Sequence, residues 1–218
     1  MEPEVYSEIL PEEFFQTDAQ IVSAASAAYT PLYGYWGMHT LSDLPTDQST
    51  VPIRSNNGWD DGGVWPRLME HDFNANENVD GPWNLASSGI SACNRLIEIF
   101  SNNENVGADA PIISELRTLR AFYYYILLSN FQNIPIETRF AEADPAPAQV
   151  SPQESFSFIE TELLESIDNL TEDKASSYAK VNRWVGYTIL AQLYLNSERI
   201  TGTPKWQQAA DAANVVIN

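Results

Sequence analysis

A chain of 218 residues with 44% hydrophobic content can bury a real core, as one domain or at most two. Eleven Lys and Arg against thirty Asp and Glu give a formal net charge of -19, which repels phosphate backbones and anionic headgroups and suits neutral ligands. A lone cysteine, Cys93, excludes an internal disulfide and a cysteine-based metal cluster, and no apolar run approaches the roughly 18 residues needed to span a membrane.

Met1 is followed by the acidic Glu2-Pro3-Glu4, where a secretory signal requires a basic start and an apolar core. Either the protein stays inside the cell or this sequence begins after an export segment. The first predicted helix runs from about Asp18 to Leu32, with Thr17 as its N-cap. The second covers about Ser88 to Phe100, where Ile90, Cys93, Ile97 and Phe100 recur on one face, so the Cys93 thiol reads as buried. A third follows Pro111, about Ile112 to Phe131, with Leu116, Leu119, Tyr123, Ile126 and Leu127 as its apolar side.

The fourth opens on Ser151-Pro152-Gln153-Glu154, a capping box with proline in the first turn, and continues along Phe156, Ile159, Leu163, Ile167 and Leu170. Glu160 and Glu162 fall off that stripe and read as solvated. A fifth helix spans about Asn182 to Leu195. A sixth begins at Thr203-Pro204 and is still running at Asn218, so a single domain over 1–218, truncated at its C-terminus, is expected. No segment reads convincingly as a sheet.

Ala121 followed by Tyr124 recurs as Ala191 followed by Tyr194. Small-then-aromatic spacing of this kind lets the first helix of a tetratricopeptide repeat approach the second closely. The expected fold is therefore mainly all-α, with tetratricopeptide-like helical pairs stacked as a solenoid, an ordinary helical hairpin being the plainer alternative. An arginine within the apolar third helix, Arg120, calls for a buried carboxylate partner.

Residues 35–83 form a long irregular insertion rich in Gly and Pro, holding Trp36, Trp59, Trp65 and Trp83 with His39 and His71. A loop of this length in a compact domain is functional or disordered, and its aromatic content argues against disorder. Sugar rings present C–H patches that match an aromatic plate and rim hydroxyls that match Arg, Asn and Asp. Arg54, Asn56, Asn57, Trp59, Asp60, Asp61 and Trp65 supply that mixture. The competing reading is that the tryptophans plug the top of the helical bundle.

Other chemistry has less support. Asp43, Asp47, Asp60 and Asp61 offer oxygen ligands but not at EF-hand spacing, and the two histidines lack zinc-site partners, so no metal and no cofactor is expected. There is neither a Gly-x-Ser-x-Gly elbow nor a phosphate-cradling glycine loop, so no catalytic residue is nominated and the chain is not expected to be an enzyme. Paired carboxylates across a cleft would serve glycoside hydrolysis, which leaves a hydrolase as the third reading.

Several stretches in order resemble the SusD/RagB family of outer-membrane nutrient-binding lipoproteins. They are Glu2-Pro3-Glu4-Val5-Tyr6-Ser7-Glu8-Ile9 with Pro11-Glu12-Glu13-Phe14-Phe15, Ala27-Ala28-Tyr29, Leu44-Pro45-Thr46-Asp47, and Trp83 with Gly89-Ile90 and Asn94. The strongest is Leu116-Arg117-Thr118-Leu119-Arg120-Ala121-Phe122-Tyr123-Tyr124, followed by Asn133-Ile134-Pro135-Ile136, with Asn133 where many relatives carry glycine. The resemblance implies a repeat-type helical scaffold, held at the outward-facing surface of the outer membrane by a lipid on an N-terminal cysteine absent from this chain. It implies a lid over a SusC-like TonB-dependent transporter, to which oligosaccharides are delivered. A gap-free reading from Leu44-Pro45-Thr46-Asp47 puts Asn56 at a family sugar-contacting asparagine, but Ile53 at an aromatic position and Trp36 at an arginine. Arg54, Asn57, Trp59, Asp60 and Trp65 rest on the chemical argument alone. The alternative function is a helical-repeat scaffold that binds a protein partner and has no sugar site.

Overall fold

The computed structural model describes residues 15–52, 61–72 and 80–218. The chain opens with α1 (Asp18–Ala25), capped by a reciprocal box between Thr17 and Gln20. The predicted helix to Leu32 is cut short at Ala25, and two 3-10 segments, Ser26–Ala28 and Thr30–Tyr35, carry the chain onward. Pro31 lies in the second and has no N–H to continue an α-helical ladder. The segment expected to be irregular then forms α2 (Trp36–Asp43) and α3 (Val64–Met69).

The scaffold proper begins with α4 (Gly81–Ser101), which starts a turn or more before the predicted Ser88 because Pro82 in its first turn presets helical φ. It is followed by α5 (Pro111–Phe131), α6 (Pro152–Ile167), α7 (Arg183–Leu195), α8 (Ser197–Thr201) and α9 (Trp206–Ile217). Two short strands, β1 (Ile134–Pro135) and β2 (Gln149–Val150), pair antiparallel between α5 and α6. The fold is mainly all-α, as expected.

Successive helices pack as neighbours: α4 on α5, α5 on α6, α6 on α7, and α7 on α9. The repeated small-then-aromatic spacing falls on α5 and α7, the first helices of two successive pairs. Ala121, Tyr124 and Tyr194 are buried there and Ala191 is half-buried. At Gly89 the two helices pack tightly: a Cβ built on it would lie 2.3 Å from the Tyr123 ring. Lys205, just ahead of α9, bonds Glu160 at 2.6 Å and lies 5.0 Å and 5.1 Å from the Phe156 and Tyr194 ring centres, tying α9 to α6 and α7.

The buried partner required by Arg120 is Glu162. Arg120 Nε and Nη2 donate to its Oε2 at 2.9 Å and 2.5 Å, while Arg120 Nη1 donates to Asn94 Oδ1 at 2.8 Å. Arg117 donates to the other carboxylate oxygen at 2.7 Å. The solvated reading of Glu162 is therefore overturned: only 5% of it is exposed. Glu160 is partly buried on Lys205. Asn94 Nδ2 and Tyr124 OH both donate to the Glu137 carbonyl, at 2.8 Å and 2.7 Å, which fixes the chain leaving β1.

Cys93 is fully buried, and burial pushes its thiol up to about 12, so it stays protonated and inert at neutral pH.

Candidate ligand groove

The Asp61-Gly62-Gly63 turn ahead of α3 runs through φ values of 39°, 67° and 80°. Left-handed backbone of this kind is open to glycine and tolerated by Asp. The turn is closed by Arg67, whose Nη1 donates to the Gly62 carbonyl at 2.8 Å. It brings Asp61 back over the first turn of α3, where Asp61 Oδ2 accepts the Trp65 indole N–H at 2.7 Å. Beyond α3, His71 Nε2 donates to the Pro45 carbonyl at 2.7 Å, bracing α3 against the turn after α2.

Between α2, α3 and the chain at 49–51 lies an open groove of about 540 Å³. Its apolar lining is Trp36, Leu44, Val51 and Trp65, and its polar lining is Thr40, Ser49, Thr50, Asp43 and Asp61. The two aromatic walls come from different helices. Trp36 opens α2 and is 69% exposed, and Trp65 is half-buried. Leu44, just after α2, and Leu68, within α3, are buried.

The two opposed readings of the tryptophans divide by residue. Trp83, in the first turns of α4, meets Phe131 edge-to-face at 5.2 Å and belongs to the bundle, as the packing alternative expects. Trp36 and Trp65 face the groove. Of the residues nominated from the sequence, Arg54, Asn56, Asn57, Trp59 and Asp60 lie outside the described residues; Trp65 lies on the groove. The nominated set omitted Trp36, which the gap-free reading of the resemblance put at an arginine position. Trp36, Thr40 and Asp43 come to share one face only once α2 has formed, which eight residues are too few to signal in advance. Among the described residues, no group of three or more His, Cys, Asp and Glu side chains is placed to hold a metal ion. Among them, too, no helix is long and apolar enough to cross a membrane.

Two smaller hollows, about 390 Å³ and 290 Å³, share Tyr29, Ala179 and Lys180 on another side of the scaffold. There Tyr29 OH donates to Glu115 Oε1 at 2.5 Å and accepts from the Val181 N–H at 2.9 Å. Burial is the main reason that the Glu115 carboxyl is raised above the usual glutamate range. The larger hollow is lined mostly by aliphatic and aromatic side chains, with Tyr29, Thr188, Lys180 and Gln192 as its polar members, and the smaller one includes Ser26, Glu115 and Lys180.

The architecture is a stack of tetratricopeptide-like helix pairs with a tryptophan-lined groove beside it. No family model matches the chain. A curated relative, the starch-binding protein SusD of Bacteroides thetaiotaomicron, is 27% identical over 104 residues, which is 48% of this chain and 18% of that protein. A solved SusD homolog from the same species superposes with a TM-score of 0.76 at 22% identity, covering 95% of this chain and 42% of the other. A surface glycan-binding protein A from Bacteroides uniformis gives a TM-score of 0.74 at 23% identity, covering 93% and 46%. The fold is SusD-like, as the sequence resemblance implied, and the chain spans less than half the length of these relatives.

Proposed function

We propose that the protein is a surface glycan-binding protein that captures oligosaccharides without cleaving them. On this reading it acts at the outward-facing surface of the outer membrane and passes its cargo to a SusC-like TonB-dependent transporter. The observation that carries the reading is the groove itself: an exposed indole, Trp36, shares an open 540 Å³ hollow with a second indole, Trp65, and with hydroxyl and carboxylate groups. Aromatic plates bind the C–H faces of sugars, and the polar rim takes their hydroxyls. The names of the SusD-like relatives, one starch-binding and one glycan-binding, support the same class of ligand. Arg54, Asn56, Asn57, Trp59 and Asp60 are proposed as further ligand contacts next to Val51 and Asp61 in the chain.

Affinity electrophoresis against a panel of polysaccharides tests the proposal. At least one is expected to retard the protein, and Trp36→Ala and Trp65→Ala are expected to abolish the retardation. Migration unaltered by every polysaccharide would count decisively against it. Release of reducing ends on overnight incubation would instead point to the hydrolase reading. Transporter pairing is checked by co-purification of the protein with a co-expressed SusC-like barrel; absence of a complex would count against it.

A further inference from the structure

The groove has an indole on each of two sides. Trp36 stands on α2 and is 69% exposed, Trp65 stands on α3, and the hollow of about 540 Å³ is the space between those helices and the chain at 49–51. Two braces hold the walls in place. The His71 ring bonds the Pro45 carbonyl at 2.7 Å, and the Thr50 hydroxyl donates to Met69 Sδ at 2.8 Å. The Trp65 N–H, the only donor of that side chain, is held by Asp61 at 2.7 Å, so Trp65 offers a ligand its ring surface. Between the walls, the hydroxyl protons of Thr40 and Thr50 are spent on the Gly37 carbonyl, at 2.8 Å, and on Met69. Both oxygens keep the capacity to accept from a ligand. The arrangement suits a ligand that is apolar toward two sides and presents hydroxyls in the plane between them.

We propose that the groove selects β-linked pyranose chains whose ring substituents are all equatorial, as in gluco- and xylo-configured sugars, over chains that carry an axial oxygen. The inference rests on the glycan-binding reading and names the class of glycan. In an all-equatorial ring every axial position bears hydrogen, so both faces are C–H surfaces and the hydroxyls lie near the ring plane. One face meets Trp36 and the other Trp65, on the same ring or on neighbouring units, while the ring hydroxyls reach Thr40, Ser49 and Thr50. An axial oxygen makes one face polar: O2 in manno-configured rings, O4 in galacto-configured rings, the linkage oxygen in α-linked glucans. Pressed on an indole, that oxygen loses water without gaining a comparable hydrogen bond, so such a chain stacks on one wall only. Loss of one stacked face is worth about fivefold in affinity, or ~1 kcal/mol.

Calorimetric titration of the full chain with matched pentasaccharides tests the proposal. Cellopentaose, laminaripentaose and xylopentaose are β-linked and carry no axial oxygen within the chain. Mannopentaose and galactopentaose, both β-1,4-linked, and maltopentaose, α-1,4-linked, each carry one on every internal ring. The tightest-bound sugar of the first group is expected to exceed every sugar of the second by about fivefold or more. A sugar of the second group bound as tightly as the best of the first overturns the proposal. Trp36→Phe and Trp65→Phe each keep an aromatic wall of smaller area. A chain that stacks on one wall is indifferent to trimming of the other, so the preference is expected to narrow in at least one of these variants. A preference unchanged in both overturns the two-sided account. If the folded chain binds none of the six sugars, the glycan-binding reading falls and this inference with it.

Discussion

Glu162 accepts hydrogen bonds from two arginines one helical turn apart on α5, with both of its oxygens occupied. Removing Arg120 leaves half of that buried carboxylate without a partner and strands Asn94 Oδ1, and breaking a buried pair in this way costs about 3 kcal/mol or more. Arg120→Ala is expected to lower the melting temperature by roughly 6–12 °C in a thermal circular-dichroism scan, given about 2–4 °C per kcal/mol for a chain of this size. An unchanged melting point would refute the pairing. Arg120's need for a carboxylate was legible, because a guanidinium on an apolar helix face must be satisfied. Which carboxylate was not, since Glu162 lies off the aliphatic stripe of α6 and meets Arg120 only when α5 and α6 dock. Two other glutamates set opposite pH slopes. Hydrogen bonds from Arg139, and from the Asp144 and Arg139 backbone, hold the Glu137 carboxyl well below the usual range. Its contribution is therefore present above the ordinary glutamate range near pH ~4.3 and is lost as pH falls below it. Glu115, raised chiefly by burial, stabilises the fold in acid and loses that contribution as pH rises through its folded value. Urea titrations across pH are expected to show wild type losing its advantage over Glu137→Gln in acid, and over Glu115→Gln toward neutral pH. Parallel curves for either pair would contradict the assignment.

Among the helices, those with explicit end signals were the easiest to read. The Ser151 hydroxyl accepts the Glu154 N–H at 3.2 Å while the Glu154 carboxylate accepts the Ser151 N–H at 2.9 Å, so both orphan donors at the start of α6 are met as its sequence required. The short helices α2 and α3 gave no such warning. Eight and six residues are too few to establish a 3.6-residue period, and glycine and proline interrupt both neighbourhoods. Their existence depends on Leu44 and Leu68 finding apolar cover, which is a tertiary fact. The α4–α5 contact depends on Gly89 in the same way. With Tyr123 fully buried and its OH held by the Ala28 carbonyl at 2.7 Å, the ring has no free path away from an added methyl. Gly89→Ala is expected to destabilise the protein by about 1–3 kcal/mol through overpacking, against the gain that alanine brings to an exposed helix. A chemical-denaturation midpoint equal to wild type would show that α4 and α5 can separate at little cost.

At the scale of the whole molecule, the groove and the core draw on different residues. The core runs through α4 to α9, whereas the groove is carried by α2 and α3 at its side. Trp36→Ala is accordingly expected to abolish glycan retention while moving the melting temperature by no more than about 2 °C, since an exposed side chain away from the core changes stability by roughly 0.5 kcal/mol or less. A large drop in melting temperature would place Trp36 in the core after all. The scaffold was legible because a repeat leaves its mark twice, at Ala121-Tyr124 and again at Ala191-Tyr194. The groove was only half legible: composition identified the tryptophan-rich stretch, but it could not say that Trp83 turns inward while Trp36 turns outward. Trp65 and the carboxylate that restrains it are four positions apart on one turn. One wall of the hollow is thus written in five consecutive codons that the bundle scarcely touches. Such a wall is an exchangeable cassette, open to replacement by recombination or by design without refolding the rest.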